Sequence, residues 1–130
     1  MSENFKIEII RPDKTILKAE TNQVTIPAYE GLMTILKDHI SLVTFLRPGF
    51  LEVSINNQIE YFYVEEGTVE FNKNTLLVLS STVKNKQDFT GEEVMKILED
   101  TKKSKDNSQL SDKDKYKLSY KIEALEEINR

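Results

Sequence analysis

Apolar and polar residues alternate in short runs over the first two thirds of this chain, and this period of two restricts the fold more than any other feature. Runs such as 5–9 and 51–55 place an apolar side chain at every second position. Successive side chains of a strand point to opposite faces, so these runs predict strands with one buried face. Turn signals follow them at Pro12-Asp13 and Asn56-Asn57. We therefore expect residues 1–88 to form a β-sandwich of short, mainly antiparallel strands.

The central stretch, residues 30–50, holds the only histidine and two of the four glycines. Met33–Leu36 has the composition of a short buried strand, and Lys37-Asp38-His39 has that of an exposed polar turn. Ile40–Leu46 is apolar at both odd and even positions, which predicts a strand that is buried on both faces. Pro48-Gly49 then predicts a turn, because proline presets its own φ and glycine accepts a positive one.

The pattern changes after the predicted sandwich. Residues 91–130 hold 9 Lys/Arg and 10 Asp/Glu in 40 positions, against 9 and 12 in residues 1–90. The apolar period there changes from two to that of a helix. The sequence therefore predicts two parts, a sandwich at 1–88 and a C-terminal α-helical hairpin at 89–130.

Both helices of this hairpin have recognisable starts. Thr90-Gly91-Glu92-Glu93 is a capping box, in which the threonine side chain accepts a hydrogen bond from the amide three residues later. The polar segment Lys102–Ser108 is expected to end the first helix, and Ser111 is the candidate N-cap of the second. The second helix carries a narrow apolar stripe, formed by Leu118, Ile122 and Leu125.

Composition narrows the function. The net charge is −4, whereas phosphate binding needs a basic face, so no nucleic-acid partner is expected. With no cysteine and one histidine, we expect neither a disulfide nor a metal site. No apolar run approaches the roughly 20 residues of a membrane-spanning helix, and no targeting segment is recognisable. These features predict a soluble, cytoplasmic, bacterial protein that binds rather than catalyses.

His39 is the residue on which an enzymatic alternative depends. A small hydrolase would use His39 as a base beside Asp38, with Ser41 as the nucleophile. A base needs an orienting partner within hydrogen-bonding distance, and a neighbour in sequence is poorly placed for this. A role of His39 in the turn or in an interface is therefore favoured. The other alternative is an unrelated β-sandwich adaptor whose helical tail binds some other assembly.

The order of these features resembles the ε subunit of F-type ATP synthases, which is called δ in mitochondria. That family has a glycine, an apolar run, a histidine, a second apolar run and a Pro-Gly pair. The residues that match in register are Gly31, Ile35, His39, Leu42, Pro48 and Gly49. Residues 66–71 and 77–82 resemble two later strands of the family. The chain departs from the family at Leu32, where an acid is usual, and at Lys37-Asp38, where Pro-Gly is common.

The resemblance implies a non-catalytic rotor subunit without a cofactor. Such a subunit is a β-sandwich with a C-terminal helical hairpin in the central stalk of the proton-translocating enzyme. It is peripheral to the cytoplasmic face of the bacterial inner membrane. The sandwich would bind the γ subunit and the c ring. The contact residues that the resemblance implies by position are Glu30, Gly31, Leu32, Lys37, Asp38 and His39.

The resemblance also implies a regulatory role for the hairpin. It would either fold against the sandwich or extend along γ toward the catalytic α and β subunits, and the extended form opposes ATP hydrolysis. Some bacterial relatives bind regulatory ATP through an Asp-x-x-Arg-Ala motif and a later arginine. The corresponding stretch here is Glu92–Ile97, and no arginine lies between Arg47 and Arg130, so no such ATP site is expected.

Overall fold

The computed structural model describes residues 3–107 and 109–128. Ser108, the last residue of the predicted polar linker, and Arg130 lie outside the described residues. The strands are β1 (Phe5–Arg11), β2 (Lys14–Thr21), β3 (Val24–Ala28), β4 (Gly31–Ile35), β5 (Leu42–Leu46), β6 (Gly49–Ile55), β7 (Gln58–Val64), β8 (Gly67–Asn72), β9 (Thr75–Leu79) and β10 (Lys84–Asn85). The helices are α1 (Gly91–Lys105) and α2 (Asp112–Ile128). Over the described ranges, no helix has both the length and the apolarity to cross a membrane.

The strands form one continuous sheet that folds over into two layers. Their order is β10-β7-β6-β3-β5-β8-β9-β1-β2, and β4 pairs with β3. Strand β1 runs parallel to β9, and the other described pairs are antiparallel. Strand β3 meets β5 through one residue pair, Ala28 and Leu46, so the sheet changes layer there. One layer holds β4, β3, β6, β7 and β10, and the other holds the remaining strands. The predicted β-sandwich is confirmed.

The hairpin turns follow from local residue preferences. Asn56 and Asn57 have φ values of 51° and 65° between β6 and β7, as a two-residue type I′ turn requires. Lys73 and Asn74 have φ values of 50° and 57° between β8 and β9. Asparagine tolerates this left-handed region better than most residues, because its short polar side chain can hydrogen-bond locally.

The space between the layers is filled by alternate residues of the strands. Ile7 and Ile9 of β1, Val53 of β6 and Val69 of β8 are fully buried in one cluster that contains residues of both layers. Their side chains lie on the same face at every second position, so the period of two in the sequence corresponds to one buried face. Burial of this apolar surface is the main stabilising term of the sandwich.

Strand β5 differs from the prediction that both its faces are buried. Thr44 and Leu46 point into the core. Val43 and Phe45 point outward and are 71% and 59% exposed. The sequence hid this alternation because the inward position holds a polar threonine and the outward positions are apolar. The Thr44 hydroxyl is satisfied by donating to Glu30 Oε2 at 3.2 Å.

Strand β4 is also less buried than its sequence suggests. Ile35 is fully buried, whereas Leu36 lies beyond the end of the strand and is exposed. Among the described strands β4 pairs with β3 alone, so it is an edge. The prediction of a buried strand at Met33–Leu36 is therefore wrong in two respects: Leu36 is not part of the strand, and the outward face of the strand is exposed.

Helix α1 begins at the predicted cap. Thr90 Oγ1 accepts a hydrogen bond from the Glu93 amide at 3.1 Å. The Glu93 carboxylate accepts from Lys84 Nζ at 2.9 Å, and this bond holds the pKa of Glu93 below its ordinary value. The helix runs to Lys105, into the segment that was expected to end it, because lysine favours helix and suits the C-terminal end of the helix dipole. Ser111 caps α2 as predicted, accepting from the Asp114 amide at 3.1 Å.

Candidate functional site

The layer that contains β5, β8 and β9 carries exposed apolar side chains on its outward face. On β5 these are Val43 and Phe45, and on β9 Leu79 is 45% exposed. Thr68 of β8 lies between Phe45 and Leu79 in the strand register, so the three strands present one surface. We call Val43, Phe45 and Leu79 the outer apolar face. The exposed side chains of β8 on the same surface are polar, Thr68 beside Phe45 and Glu70 beside Val43. Large apolar side chains gathered on one exposed face commonly mark a contact with another protein.

The loop Lys37–His39 follows β4 and is held in place by the turn between β8 and β9. The Asp38 amide donates to Asn74 Oδ1 at 2.7 Å, and Asn74 Nδ2 donates to Asp38 Oδ1 at 2.9 Å. The His39 ring contacts the Phe71 ring edge to face, with the ring centres 6.0 Å apart. The loop therefore presents its polar groups from a fixed backbone.

Tyr29-Glu30 is the turn that joins β3 to β4, and Gly31 and Leu32 are the first two residues of β4. Gly31 has a φ of 130°, a value that residues with a Cβ atom rarely adopt. The Glu30 carboxylate accepts from the Thr44 hydroxyl, and this contact orients it. The Leu32 side chain points outward and is 67% exposed.

The two candidate loops are separated along β4. Glu30–Leu32 lies at the start of β4 and Lys37–His39 lies just beyond its end. At a rise of about 3.3 Å per residue, the strand between them spans roughly 13 Å. The six candidate contact residues therefore form two groups, one at each end of β4.

The hydrolase alternative has no assembled site in the described ranges. His39 Nδ1 lies 2.7 Å from the Ile40 carbonyl oxygen, and the Ser41 hydroxyl donates to Asn72 Oδ1 at 3.3 Å. The Asp38 carboxylate pairs with Asn74, so the three side chains of the alternative bond to three different groups. No cluster of three or more metal-binding side chains occurs within the described residues.

The helical hairpin lies on the outward face of β6 and β7. Its buried contact residues are Val94, Leu98, Ala124 and Leu125, which pack around Tyr63. Of the predicted stripe, Leu125 is fully buried and Ile122 packs at the edge of this cluster. Leu118 is half-buried and lies outside it.

A polar contact lies beside this cluster. Lys121 Nζ of α2 lies 3.1 Å from Glu65 Oε1. The other oxygen of Glu65 accepts from the Tyr63 hydroxyl at 3.1 Å. Burial, together with the nearby Glu65 carboxylate, raises the pKa of Tyr63, so its hydroxyl stays protonated as the donor.

Sequence reasoning missed the outer apolar face and the aromatic contacts of α2. The first was hidden by the inward threonine of β5. The second had one available signal, since Tyr116 and Tyr120 are the only aromatic residues after Phe89 and their spacing of four puts them on one helix face.

Comparison with known proteins gives consistent matches. The family model of the ATP synthase delta/epsilon chain β-sandwich domain matches residues 4–86. The ATP synthase epsilon chain of Pelagibacter ubique is 41% identical over 130 residues, which cover 99% of this chain and all of that protein. The epsilon chain of Leptospira interrogans is 33% identical over 104 residues, covering 79% of this chain and 82% of that one.

Two solved structures contain chains with a similar fold. A chain of the Euglena gracilis mitochondrial ATP synthase superposes with a TM-score of 0.76 at 20% identity, covering 99% of this chain and 81% of that one. A chain of the Tetrahymena thermophila mitochondrial ATP synthase central stalk and c ring superposes with a TM-score of 0.66 at 14% identity, covering 96% of each chain.

Proposed function

The chain belongs to the ATP synthase delta/epsilon chain family, as an epsilon subunit, and we propose that it links the γ subunit to the c ring in the rotor of a proton-translocating F-type enzyme. An epsilon chain is a non-catalytic subunit, so the reaction takes place in other subunits. Membership of this family overturns the alternative of an unrelated adaptor with a helical tail.

The outer apolar face is the observation that carries this proposal. Val43 and Phe45 are large apolar side chains that the sandwich leaves in solvent although its core is filled. The buried centre of a stable interface is poor in charge and rich in aromatic and apolar residues. We assign this face to the γ subunit, because a subunit that turns with γ needs a lasting contact rather than a transient one.

The two loops at the ends of β4 are the proposed contacts with the c ring. Glu30, Gly31 and Leu32 form one contact, and Lys37, Asp38 and His39 form the other. Loops that a rigid scaffold holds in place are common binding sites. Both loops have such support, the first from Thr44 and the second from Asn74. Glu30 supplies a carboxylate close to Leu32, the position at which the family usually has an acid.

The hairpin is proposed as a switch that opposes ATP hydrolysis when it extends toward the catalytic α and β subunits. Its buried apolar side chains each contribute about 1.5–3 kcal/mol when fully buried. Ordering the segment offsets much of this gain. The remaining preference for docking is small enough for a competing apolar surface to reverse. Lys113, Lys115, Lys117 and Lys121 of the extended α2 would meet acidic side chains of those subunits. In the docked hairpin Lys113 and Lys115 are exposed, whereas Lys121 pairs with Glu65.

The same proposal fixes the location of the chain. It is held at the cytoplasmic face of the bacterial inner membrane through γ and the c ring, without inserting into the lipid.

The test is binding of γ by full-length chains that carry a charge on the outer apolar face. Val43→Glu with Phe45→Glu should weaken binding about tenfold or more, because a central apolar anchor is typically worth over 1 kcal/mol. Ile59→Glu is the matched control, since Ile59 is also exposed but lies on β7 in the other layer. Equal affinity of both variants and the unchanged chain for γ would rule out this face as the contact.

A further inference from the structure

Arg47 is a buried cation at the junction of β5 and β6. It is 9% exposed, and its Nη1 donates to the Pro48 carbonyl at 2.9 Å. Its Nε has no hydrogen-bond partner among residues 3–107 and 109–128. A buried charge is costly unless nearby groups pair with it or hydrogen-bond to it. The contacts that Arg47 makes at this strand junction supply only part of that compensation.

The compensation comes from the helical hairpin. The Arg47 guanidinium carbon lies 3.7 Å from the centre of the Tyr120 ring of α2. This is well within the distance of about 6 Å at which a ring face attracts a cation, and the attraction is stronger where water is excluded. The sandwich thus provides the cation and the hairpin provides the ring.

A second aromatic contact extends the first. The Tyr120 ring meets the Tyr116 ring edge to face, with centres 4.7 Å apart. Tyr116 in turn stacks on Tyr29 of the sandwich at 6.5 Å, and its hydroxyl donates to the Tyr29 carbonyl at 3.4 Å. The four side chains form a continuous row whose two ends belong to the sandwich and whose two middle members belong to α2.

We propose that this row, Arg47-Tyr120-Tyr116-Tyr29, is the latch that holds α2 against the sandwich, with Arg47 and Tyr120 as its central pair. The latch itself does not depend on the proposed function; only the effect of hairpin release on ATP hydrolysis rests on it. The chemistry suits a reversible contact. When α2 leaves, Arg47 regains hydration, whereas an apolar side chain at that place would gain nothing from exposure.

The test measures release of α2 in the isolated full-length chain. The chain has no cysteine, and Ala124 is 4% exposed on the docked face of α2, so Ala124→Cys reports release by its rate of reaction with a small thiol reagent. Val53→Cys, at a fully buried position of the sandwich core, reports opening of the sandwich instead.

The decisive result is the coupling between the two central residues. Tyr120→Leu should raise the labelling rate at position 124 about 5- to 30-fold, the range that a desolvated cation–π contact corresponds to. The same substitution in an Arg47→Met background should raise it no more than about threefold, because the cation is already gone. Tyr120→Phe keeps the ring and should change the rate less than about twofold.

Two outcomes would overturn the latch. Equal effects of Tyr120→Leu with and without the Arg47→Met change would show that the pair is not coupled. A parallel rise of labelling at positions 124 and 53 would show that the contact supports the whole chain rather than the docking of α2.

In the assembled enzyme Tyr120→Leu should lower ATP hydrolysis. Faster labelling at position 124 together with an unchanged rate of ATP hydrolysis would support the latch and would contradict the proposal that the extended hairpin inhibits hydrolysis.

Discussion

Asp38 and Asn74 hydrogen-bond to each other twice, and both have left-handed backbone conformations, with φ of 64° and 57°. One residue lies in the loop after β4 and the other in the turn between β8 and β9. Their reciprocal bonds join two loops from different layers of the sandwich. The conformation of the proposed c-ring contact at Lys37–His39 thus depends on a turn far away in the sequence.

Replacing Asn74 should separate the two contributions of this residue. Asn74→Gly removes both hydrogen bonds but keeps a backbone that accepts positive φ, and we expect a loss of about 1–2 kcal/mol in unfolding free energy. Asn74→Ala adds the cost of a left-handed residue with a Cβ, about 1 kcal/mol more. Urea denaturation of both variants measures the difference. Equal stability of the alanine and glycine variants would contradict the backbone argument.

Gly67 and Gly31 provide a matched pair for testing close packing. Both have positive φ, 155° and 130°. A Cβ at position 67 would lie 2.6 Å from the Leu79 carbonyl oxygen. At position 31, no heavy atom of the described residues lies within 4 Å, apart from the adjacent residues in the chain. Gly31→Ala should cost about 1–2 kcal/mol for the backbone alone, and Gly67→Ala should cost at least about 1 kcal/mol more for the clash. Similar melting temperatures of the two variants would show that β8 and β9 move apart freely.

A chain that ends at Asp88 should fold by itself. The main cluster of buried side chains lies entirely within Phe5–Val83, and the hairpin contributes to a separate cluster. Removing residues 89–130 exposes the Tyr63 side chain but leaves the core between the layers intact. We expect cooperative thermal unfolding, measured by circular dichroism, and unchanged γ binding. Loss of either would mean that the sandwich depends on its tail.

Deleting residues 89–130 in the assembled enzyme should raise ATP hydrolysis and leave synthesis mostly intact, because the inhibitory element is gone. Fixing the docked hairpin should have the same effect. Lys121 Nζ and Glu65 Oε1 are 3.1 Å apart, close enough for zero-length carbodiimide coupling. Glu65→Gln, which cannot be coupled at this place, is the control. Equal hydrolysis rates with the tail free, coupled and deleted would exclude inhibition by this hairpin.

Removing the carboxylate charges of the two loops should weaken coupling between proton flow and ATP synthesis. Glu30→Gln and Asp38→Asn keep the acceptor oxygens that Thr44 and Asn74 use, so the loops should stay folded. Because the loops lie at opposite ends of β4, their effects should add rather than replace each other. ATP synthesis driven by a proton gradient measures this. Unchanged coupling in an assembled double variant would remove both residues from the contact.

The sequence was sufficient wherever a structural feature depends on neighbours in the chain. The alternating runs predicted the strands, Asn56-Asn57 predicted the turn between β6 and β7, and Thr90 and Ser111 predicted the helix starts. These features are encoded within a few residues, by side-chain direction in a strand or by a hydrogen bond to a nearby amide. The order of such local signals along the chain also carried the family resemblance.

Only the tertiary structure decided which face of each element is covered and by what. The pattern of β5 did not reveal that Thr44 points inward, because a hydroxyl is tolerated in the core once Glu30 accepts its bond. The contact of Arg47 with Tyr120 was equally hidden, since it joins residues that are distant in the chain and become neighbours only when the hairpin packs on the sandwich. Periodicity in the sequence indicates that a strand or helix has an apolar face and a polar face. Which of these faces is covered, and which stays exposed for a partner protein to bind, depends on the layers that pack against it.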